Sequence, residues 1–297
     1  MSELNTVTVL ANRSLLTWQV KALEQLVDET GIEIPLVVIN TVDDFAHPGY
    51  SRGASSLEVE AFEPGVGMAD FKLFYHIAQR ERAWVAVLAE RKLAWMLGLD
   101  KPGPMDRCPI DQVDVLTDAD HIQCTPVPVN GAWCDLPEAI VERIANETDL
   151  AIRFGFNLLT GRILSAPKYG VISFHPGDIR RYRGLSPARM FLNGEETAGA
   201  TLQQLTNELD GGNVVAIESV NVSDVHTLDE LQRRLAILQS KMLTNGIKRL
   251  RDPDFKPEPP ESLAEYVSVS RRQDPLFAGR VLAKNIIGRF QDCWSNS

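Results

Sequence analysis

Residues 7–39 read VTVLANRSLLTWQVKALEQLVDETGIEIPLVVI, and this stretch decides the fold. Val7 to Leu10 form a run rich in β-branched residues, which is typical of a buried strand. Leucine and valine then recur at helical spacing between Leu15 and Leu26, with Ser14 as the expected N-cap. Pro35 to Ile39 form a second apolar run. A strand, a loop, a helix and a second strand predict the opening unit of a doubly wound sheet.

Strand and helix patterns continue to alternate in the rest of the chain, which favours a parallel sheet with crossover helices. We expect a Rossmann-like, mostly parallel α/β domain over residues 1–250, with a helical insertion near 44–105 and a helical C-terminal extension at 251–297. Further strands are predicted at 113–116, 150–154, 171–174, 200–202 and 214–217. Further helices are predicted at 68–97, 136–145, 162–166, 227–250 and 275–290.

Composition and charge exclude several classes of protein. The formal net charge is -10, with 40 acidic against 30 basic residues, so we expect no nucleic-acid partner. No run approaches the ~18 uninterrupted apolar residues of a membrane span. Met1 to Asn5 lack a basic segment followed by an apolar run, so we expect no leader and a cytoplasmic location. A homo-oligomer is compatible with the sequence.

The four cysteines predict neither a metal site nor a disulfide framework. Cys108, Cys124, Cys134 and Cys293 contain no CxxC pair. They fit neither a zinc ligand set nor the dense pattern of a small secreted domain. We expect reduced thiols that mostly fill the core, and no bound metal.

The most informative stretch for chemistry is residues 170–184, GVISFHPGDIRRYRG. A predicted strand ends at His175, and the following Pro-Gly stops it. Ligands of open α/β sheets bind at the carboxyl ends of strands, so a histidine placed there is a candidate functional group. A hydrogen-bonded structural histidine remains an alternative on these residues alone.

A second stretch lies between two predicted strands, at residues 206–212, TNELDGG. Its glycines allow the backbone to approach a ligand closely. Taken alone, Asp210 followed by two glycines is also the pattern of an ordinary turn.

Together, the two stretches resemble the formyltransferase family that uses 10-formyl-tetrahydrofolate. That family has an Asn-x-His-Pro strand end, a Tyr-Arg-Gly-like continuation and a Leu-Asp-x-Gly loop about three dozen residues later. Here Asp210 follows His175 by 35 positions. The resemblance extends over about 149–250, whereas residues 6–39 resemble only a generic nucleotide fold.

The resemblance implies roles for particular residues. His175 is the group on the side of the developing oxyanion, Asp210 is the carboxylate that relays protons, and Ser173 stands where the family has asparagine. The donor, 10-formyl-tetrahydrofolate, is expected to bind Phe156, Asn157, Leu158, Leu159 and Gly211. The acceptor, a small-molecule amine such as an amino sugar nucleotide or a purine precursor, is expected to bind Asn12, Arg13, Ser14 and Arg183.

Three departures from the family pattern bear on the substrate. Ser173 offers one donor where asparagine offers two. Residues 177–181 put charge into a segment that is usually apolar, as a solvated loop or as part of an altered acceptor pocket. Only 47 residues follow Leu250, too few for the tRNA-binding barrel of methionyl-tRNA formyltransferases.

Other functions stay open from the sequence. A hydrolase of the formyl donor would use water in place of the amine, and a non-catalytic relative would bind the donor without turnover. An unrelated nucleotide-dependent oxidoreductase is disfavoured, because residues 11–14 read ANRS where a GxGxxG motif would begin.

Overall fold

The computed structural model describes residues 4–42, 78–99 and 103–295, and its centre is a seven-stranded sheet. In chain order, the strands are β1 (Thr6–Ala11), β2 (Ser14–Leu16), β3 (Glu33–Asn40), β4 (Arg107–Pro109), β5 (Asp120–Cys124), β6 (Val127–Asn130), β7 (Trp133–Asp135), β8 (Leu150–Arg153), β9 (Leu158–Leu159), β10 (Val171–His175), β11 (Arg183–Gly184), β12 (Thr197–Gln204), β13 (Asn213–Asn221) and β14 (Tyr266–Val267). The helices are α1 (Thr17–Thr30), α2 (Val85–Met96), α3 (Glu138–Glu147), α4 (Ser186–Asn193), α5 (Leu228–Leu250) and α6 (Pro275–Ser295).

The central sheet has the strand order β13-β12-β10-β8-β1-β3-β5. The strands from β10 to β5 are parallel to one another. β12 and β13 are antiparallel to their neighbours. The predicted Rossmann-like, mostly parallel α/β fold is therefore confirmed.

Helices cover both faces of this sheet. Val9 packs in one buried cluster with Leu23 of α1 and Leu235 of α5. The next residue, Leu10, packs in a second cluster with Ile144 of α3. Because successive residues of a strand point to opposite faces, this division is the one that a doubly wound sheet requires.

The prediction of a strand at 113–116 is wrong. Residues Asp114–Leu116 form a 3-10 turn, with Val113 and Leu116 in the core, and the strand at this edge of the sheet is β5. β5 reads DHIQC and is largely exposed. An edge strand with little burial lacks the apolar run that identifies central strands.

The predicted N-cap of α1 is also wrong. Ser14 lies in β2 and pairs with Pro109 of β4, and the helix begins at Thr17. The first amides of α1 donate to carbonyl groups of the neighbouring segment, from Thr17 to Asp106 O at 2.8 Å and from Trp18 to Pro104 O at 3.0 Å. Tertiary contacts therefore satisfy the donors that a capping side chain would otherwise accept.

The predicted insertion lies partly outside the described residues. Its described part is helical, with α2 preceded by a 3-10 turn at Arg82–Trp84. α2 packs against α6 of the C-terminal extension. The extension also pairs β14 with β11, immediately after the predicted catalytic strand β10. Both segments are thereby brought next to the carboxyl edge of the sheet.

Candidate active site

The carboxyl ends of β1, β8 and β10 open into a cavity of about 330 Å³. Its polar lining includes Asn12 after β1, Arg153 at the end of β8, Ser173 and His175 of β10, and Asp210 from the loop between β12 and β13. Ligand sites of open α/β sheets lie at this edge. The structure therefore brings together these four residues, which were predicted for the site, with Ser14 nearby on the same wall, and adds Arg153 to them.

Aromatic and cationic side chains also contribute to the cavity wall. Trp18 packs edge-on against Phe154 and Phe174, with ring centroids 5.8 Å and 5.2 Å apart. Arg91, Arg107 and Arg272 line the cavity from α2, β4 and the C-terminal extension. Arg91 Nη2 lies 2.5 Å from Asp229 Oδ1, and Arg272 Nη2 lies 2.7 Å from Glu81 Oε2. These ion pairs fix the segments that enclose the cavity.

His175 is 4% exposed, and both of its ring nitrogens have partners. Nδ1 lies 3.3 Å from Asp210 Oδ1. Nε2 lies 2.8 Å from Ser186 Oγ and 3.0 Å from Tyr182 O. The Ser186 hydroxyl can donate to Nε2 or to Tyr182 O, at 3.2 Å. Nε2 can thus accept from Ser186 or donate to Tyr182, so either protonation state of the ring is satisfied.

Asp210 occupies a turn with a φ of 47°, and both of its carboxylate oxygens have partners. Oδ1 faces His175, and Oδ2 accepts the Gly184 N–H at 3.0 Å. Burial raises the pKa of the Asp210 carboxyl group, but His175, Gly184 and Arg153 lower it by more, so the pKa lies below the ordinary value of 3.8. Asp210 is therefore held as a carboxylate at neutral pH.

Arg183 stabilises the loop that carries Asp210 through hydrogen bonds. Its Nη2 atom donates to Leu209 O at 2.5 Å and to Glu208 Oε1 at 3.2 Å, and Nη1 donates to Ala264 O at 3.3 Å. The guanidinium group thus links the Asp210 loop to the C-terminal extension. This contact places Arg183 behind the carboxylate, and its predicted contact with substrate stays a prediction.

Ser173 and Arg153 form two hydrogen bonds with each other across neighbouring strands. They are register partners in β10 and β8, and both are buried. Arg153 Nε donates to Ser173 Oγ at 3.1 Å, and the Ser173 hydroxyl donates to Arg153 O at 3.2 Å. Arg153 Nη1 also donates to Asn157 O. The one hydrogen of the Ser173 hydroxyl is therefore directed at the backbone.

The predicted donor loop is buried and turns sharply. Phe156 and Asn157 both have positive φ values, 61° and 27°, and both are buried. Leu158 and Leu159 continue as β9, which pairs with β7. The Thr160 hydroxyl donates to Asn207 Oδ1 at 2.8 Å, so this loop meets the loop of Asp210 and Gly211. Donor binding by these residues stays a prediction.

Gly155 allows the donor loop to approach β1. A Cβ atom at Gly155 would lie 2.4 Å from Ala11 C and 2.5 Å from Asn12 N. Asn12 Oδ1 accepts the Phe156 N–H at 3.4 Å and the Asn40 side-chain amide at 3.2 Å. Backbone atoms cannot yield as a flexible side chain does, so the position requires glycine.

The residues that follow β1 have different exposures. Asn12 and Ser14 are half-buried and line the cavity, whereas Arg13 is exposed and accepts the Ile110 N–H through its carbonyl group. Arg107 Nη1 donates to Ser14 Oγ at 3.0 Å. Ser14 and Arg107 therefore form a polar, cationic corner of the cavity.

The charged residues after His175 are paired at the surface. Arg180 donates twice to Asp178, at 2.9 Å and 2.8 Å, and Arg181 donates to Glu195 at 2.8 Å. About half of the Arg180 and Arg181 side-chain surface is exposed. This arrangement favours solvation of the charged side chains in residues 177–181, whereas Ile179 between them is buried.

Arg153, Arg107 and Ser186 were not predicted as site residues. The sequence could have identified Arg153 as a candidate, because it is a charged residue at the end of the apolar run 150–152. Ser186 lies after the motif strand and is identified only by its contact with His175. Arg107 comes from a segment that the sequence places far from the motif.

Within residues 4–42, 78–99 and 103–295, no group of three or more His, Cys, Asp or Glu side chains is arranged to hold a metal ion. None of the helices in that part of the chain is long and apolar enough to cross a membrane.

Comparison with known proteins gives a family match for the segment that contains the His175–Asp210 pair. Residues 135–247 match the model of the family described as formyl transferase. The methionyl-tRNA formyltransferase of Thermotoga neapolitana is 31% identical over 163 residues, which cover 50% of this chain and 52% of that protein. The chain thus spans about half the length of the curated relatives it matches.

Two solved structures show the same fold over most of the chain. Glycinamide ribonucleotide transformylase 1 from Symbiobacterium toebii has a TM-score of 0.52 and 15% identity, with coverage of 90% of this chain and 96% of that one. A sugar N-formyltransferase from a Shewanella species has a TM-score of 0.50 and 12% identity, with coverage of 95% and 88%.

Proposed function

The chain belongs to the formyl transferase family through residues 135–247, and from this membership we propose that it transfers a formyl group from 10-formyl-tetrahydrofolate to the amine of a small molecule. The observation that supports this activity most strongly is the His175–Asp210 pair at the end of β10. The two residues lie inside the matched segment, and both line the cavity.

The proposed reaction is an acyl transfer between two nitrogen atoms. The amine nitrogen attacks the formyl carbon, and the carbonyl electron pair moves onto the formyl oxygen. The carbonyl group re-forms as the bond from carbon to N10 breaks, and N10 keeps the bonding pair. N10 gains one proton and the amine loses one, so the products are an N-formyl amine and tetrahydrofolate.

His175 and Asp210 supply the two functions that this reaction needs. Nδ1 of His175, which faces Asp210 in the free protein, donates to the formyl oxygen once the donor is bound and stabilises the charge that develops there, and one such donor contributes about 3 kcal/mol. The Asp210 carboxylate, kept ionised by its lowered pKa, accepts the amine proton through a water molecule and returns it toward N10. Ser186 keeps Nε2 of His175 paired throughout.

The donor is proposed to bind between the two loops that meet at Thr160 and Asn207. Phe156, Asn157, Leu158 and Leu159 form one side, largely through backbone groups, and Gly211 lies on the other. The positive φ values at Phe156 and Asn157 turn the backbone sharply at this point. Titration with 5-formyl-tetrahydrofolate, followed by NMR of these residues, tests the assignment.

The acceptor is proposed to be a small amine that also carries an anionic group, as in an amino sugar nucleotide or a purine precursor. The cavity volume of about 330 Å³ lies at the lower end of the usual range for small-ligand pockets. Asn12, Ser14 and Arg107 form a corner suited to a phosphate or carboxylate, with Arg13 next to them. Arg183 is proposed to act on substrate binding by holding the Asp210 loop.

The remaining expectations concern partners and location. The net charge of -10 disfavours a tRNA acceptor, although the curated relatives include methionyl-tRNA formyltransferases. We propose a cytoplasmic enzyme that needs no metal, and a homo-oligomer is compatible with it.

An acceptor screen tests this proposal. The protein is incubated with 10-formyl-tetrahydrofolate and a panel of phosphorylated and non-phosphorylated amines, and mass spectrometry detects gain of one formyl group. Release of formate is measured in parallel without any amine. Formylation of an anionic amine supports the proposal, whereas formate release alone identifies a hydrolase. Donor binding with neither product identifies a non-catalytic relative.

A further inference from the structure

We propose that Arg153 is the cationic group that stabilises the formyl oxygen, at the place where relatives are expected to use a neutral asparagine. Ser173 then acts as a positioning residue for Arg153. This inference rests on the proposed formyl transfer, and it concerns how this chain performs that reaction without the asparagine.

The geometry of Ser173 is the first reason. Its hydroxyl has one hydrogen, which is donated to Arg153 O at 3.2 Å, and its oxygen accepts from Arg153 Nε at 3.1 Å. A serine in this state has no hydrogen left for a substrate oxygen. The donor role at this point of the cavity therefore passes to the neighbouring guanidinium group.

The placement of Arg153 is the second reason. Its side chain lines the cavity together with His175 and Asp210, and the residue is 7% exposed. Nε is held by Ser173 on β10, and Nη1 is held by the carbonyl group of Asn157 in the proposed donor loop. Both of these acceptors are uncharged oxygens, and together they orient the guanidinium plane.

The electrostatic effect of Arg153 on Asp210 is consistent with this placement. Its charge is among the influences that lower the pKa of Asp210 against the raising effect of burial. The guanidinium therefore acts on the same small volume as the His175–Asp210 pair. Charge that develops on a formyl oxygen in that volume is stabilised by the same field.

The chemistry favours a guanidinium over a serine hydroxyl. A hydrogen bond from a charged donor is roughly twice as strong as one between neutral groups. The guanidinium group is always protonated in proteins, so this donor does not depend on pH. Its orientation is fixed before the substrate arrives, and that preorganisation is the source of oxyanion stabilisation in enzymes.

Kinetics of three single variants provide the first test. Arg153→Met should lower kcat by about 100- to 1,000-fold, as expected when one oxyanion donor is removed. Arg153→Lys keeps the charge and should retain more activity than Arg153→Met. The half-exposed Arg143, which pairs with Asp120 and Glu147 on the surface, gives the matched control Arg143→Met, with kcat unchanged.

A second test exchanges one donor for the other. Ser173→Asn alone should lower kcat, because the larger side chain collides with the buried guanidinium group. In the Arg153→Met background, the same Ser173→Asn change should raise kcat by about ten-fold or more, since an amide donor replaces the lost one. A purely structural Arg153 predicts no such rescue, because neither change restores the bonds of its side chain.

A spectroscopic measurement keeps the inference testable apart from turnover. Infrared difference spectra of a bound, ¹³C-formyl-labelled stable folate analogue report the polarisation of the formyl carbonyl. In the wild-type protein this band should shift to lower frequency than in Arg153→Met, at equal occupancy and with both proteins folded. An identical band, together with unchanged kcat in Arg153→Met, would overturn the role of Arg153 while leaving formyl transfer intact. Failure of the wild-type protein to bind the analogue would overturn both proposals.

Discussion

Asp210 Oδ1 lies 3.3 Å from Nδ1 of His175, although the two residues belong to different elements. His175 is held in place as the last residue of the buried strand β10. Asp210 is held in place by a hydrogen bond from the Gly184 N–H and by the hydrogen bond from Arg183 to the Leu209 carbonyl group. The pair is thus assembled before any substrate binds. Preorganisation of this kind is what catalysis by proton relay requires.

Replacement of the carboxylate tests the proton relay. Asp210→Asn keeps the side-chain size but removes the base, so kcat for formyl transfer should fall by about 100-fold or more, with the protein still folded. Steady-state assays with a saturating acceptor measure the effect. The exposed Asp254 provides the control Asp254→Asn, which should match the wild-type protein. Equal activity of the Asp210→Asn protein would rule out the relay.

The lowered pKa of Asp210 predicts how stability depends on pH. A carboxyl group whose pKa is lower in the folded state stabilises the fold above its unfolded value, and this contribution is lost as the pH falls through the folded value. The wild-type protein should therefore exceed Asp210→Asn in unfolding free energy most clearly above about pH 4, with the difference shrinking below 3.8. Urea melts of both proteins between pH 7 and pH 3 measure it. A difference that grows on acidification would contradict the assignment.

Gly155→Ala should destabilise the protein and weaken binding of the folate analogue. The added Cβ meets backbone atoms of Ala11 and Asn12 at 2.4 Å and 2.5 Å, so β1 and the donor loop must separate. Strain of this kind costs about 1–3 kcal/mol. Gly279→Ala is the matched control, since its Cβ meets nothing within 4 Å and it lies in helix α6. That change should stabilise the protein by roughly 0.5–1 kcal/mol. Thermal melts compare the two variants.

The buried thiols should be inert. Burial raises the pKa of Cys124 and of Cys134 to about 11. At pH 8 the thiolate form of each is therefore about one part in a thousand, and access is blocked as well. Alkylation of the native protein, mapped by mass spectrometry, should leave both cysteines unmodified until urea unfolds the chain. Rapid labelling of either one at pH 8 would show that the core around the donor loop opens readily.

Much of the fold could be predicted because the central strands of the sheet are recognisable in the sequence as apolar runs. β10 was expected to end at His175, and it does. The edge strand β5 was missed, because its exposed sequence, Asp120–Cys124, lacks that run. Ser14 was misplaced as a helix cap, because the contacts of α1 with residues 104–106 are tertiary.

The site was predictable only as far as its motifs reach. His175 and Asp210 follow from the two motifs, whereas the bond between Arg153 and Ser173 depends on the parallel register of β8 and β10. No spacing in the sequence reveals that register, since residues 154–170 separate the two strands. Arg153, a charged residue at the end of the buried strand β8, was the one feature of this bond that the sequence indicated.

The central claim is formyl transfer from the folate donor through His175, and the most direct measurement follows a ¹³C-formyl label. Wild-type and His175→Ala proteins are incubated with ¹³C-labelled 10-formyl-tetrahydrofolate and an amine acceptor from the screen, and labelled N-formyl product is quantified over time. The account predicts product with the wild-type protein and a rate lower by about 100-fold or more with His175→Ala, at equal folding and donor affinity. Equal rates for the two proteins would contradict it.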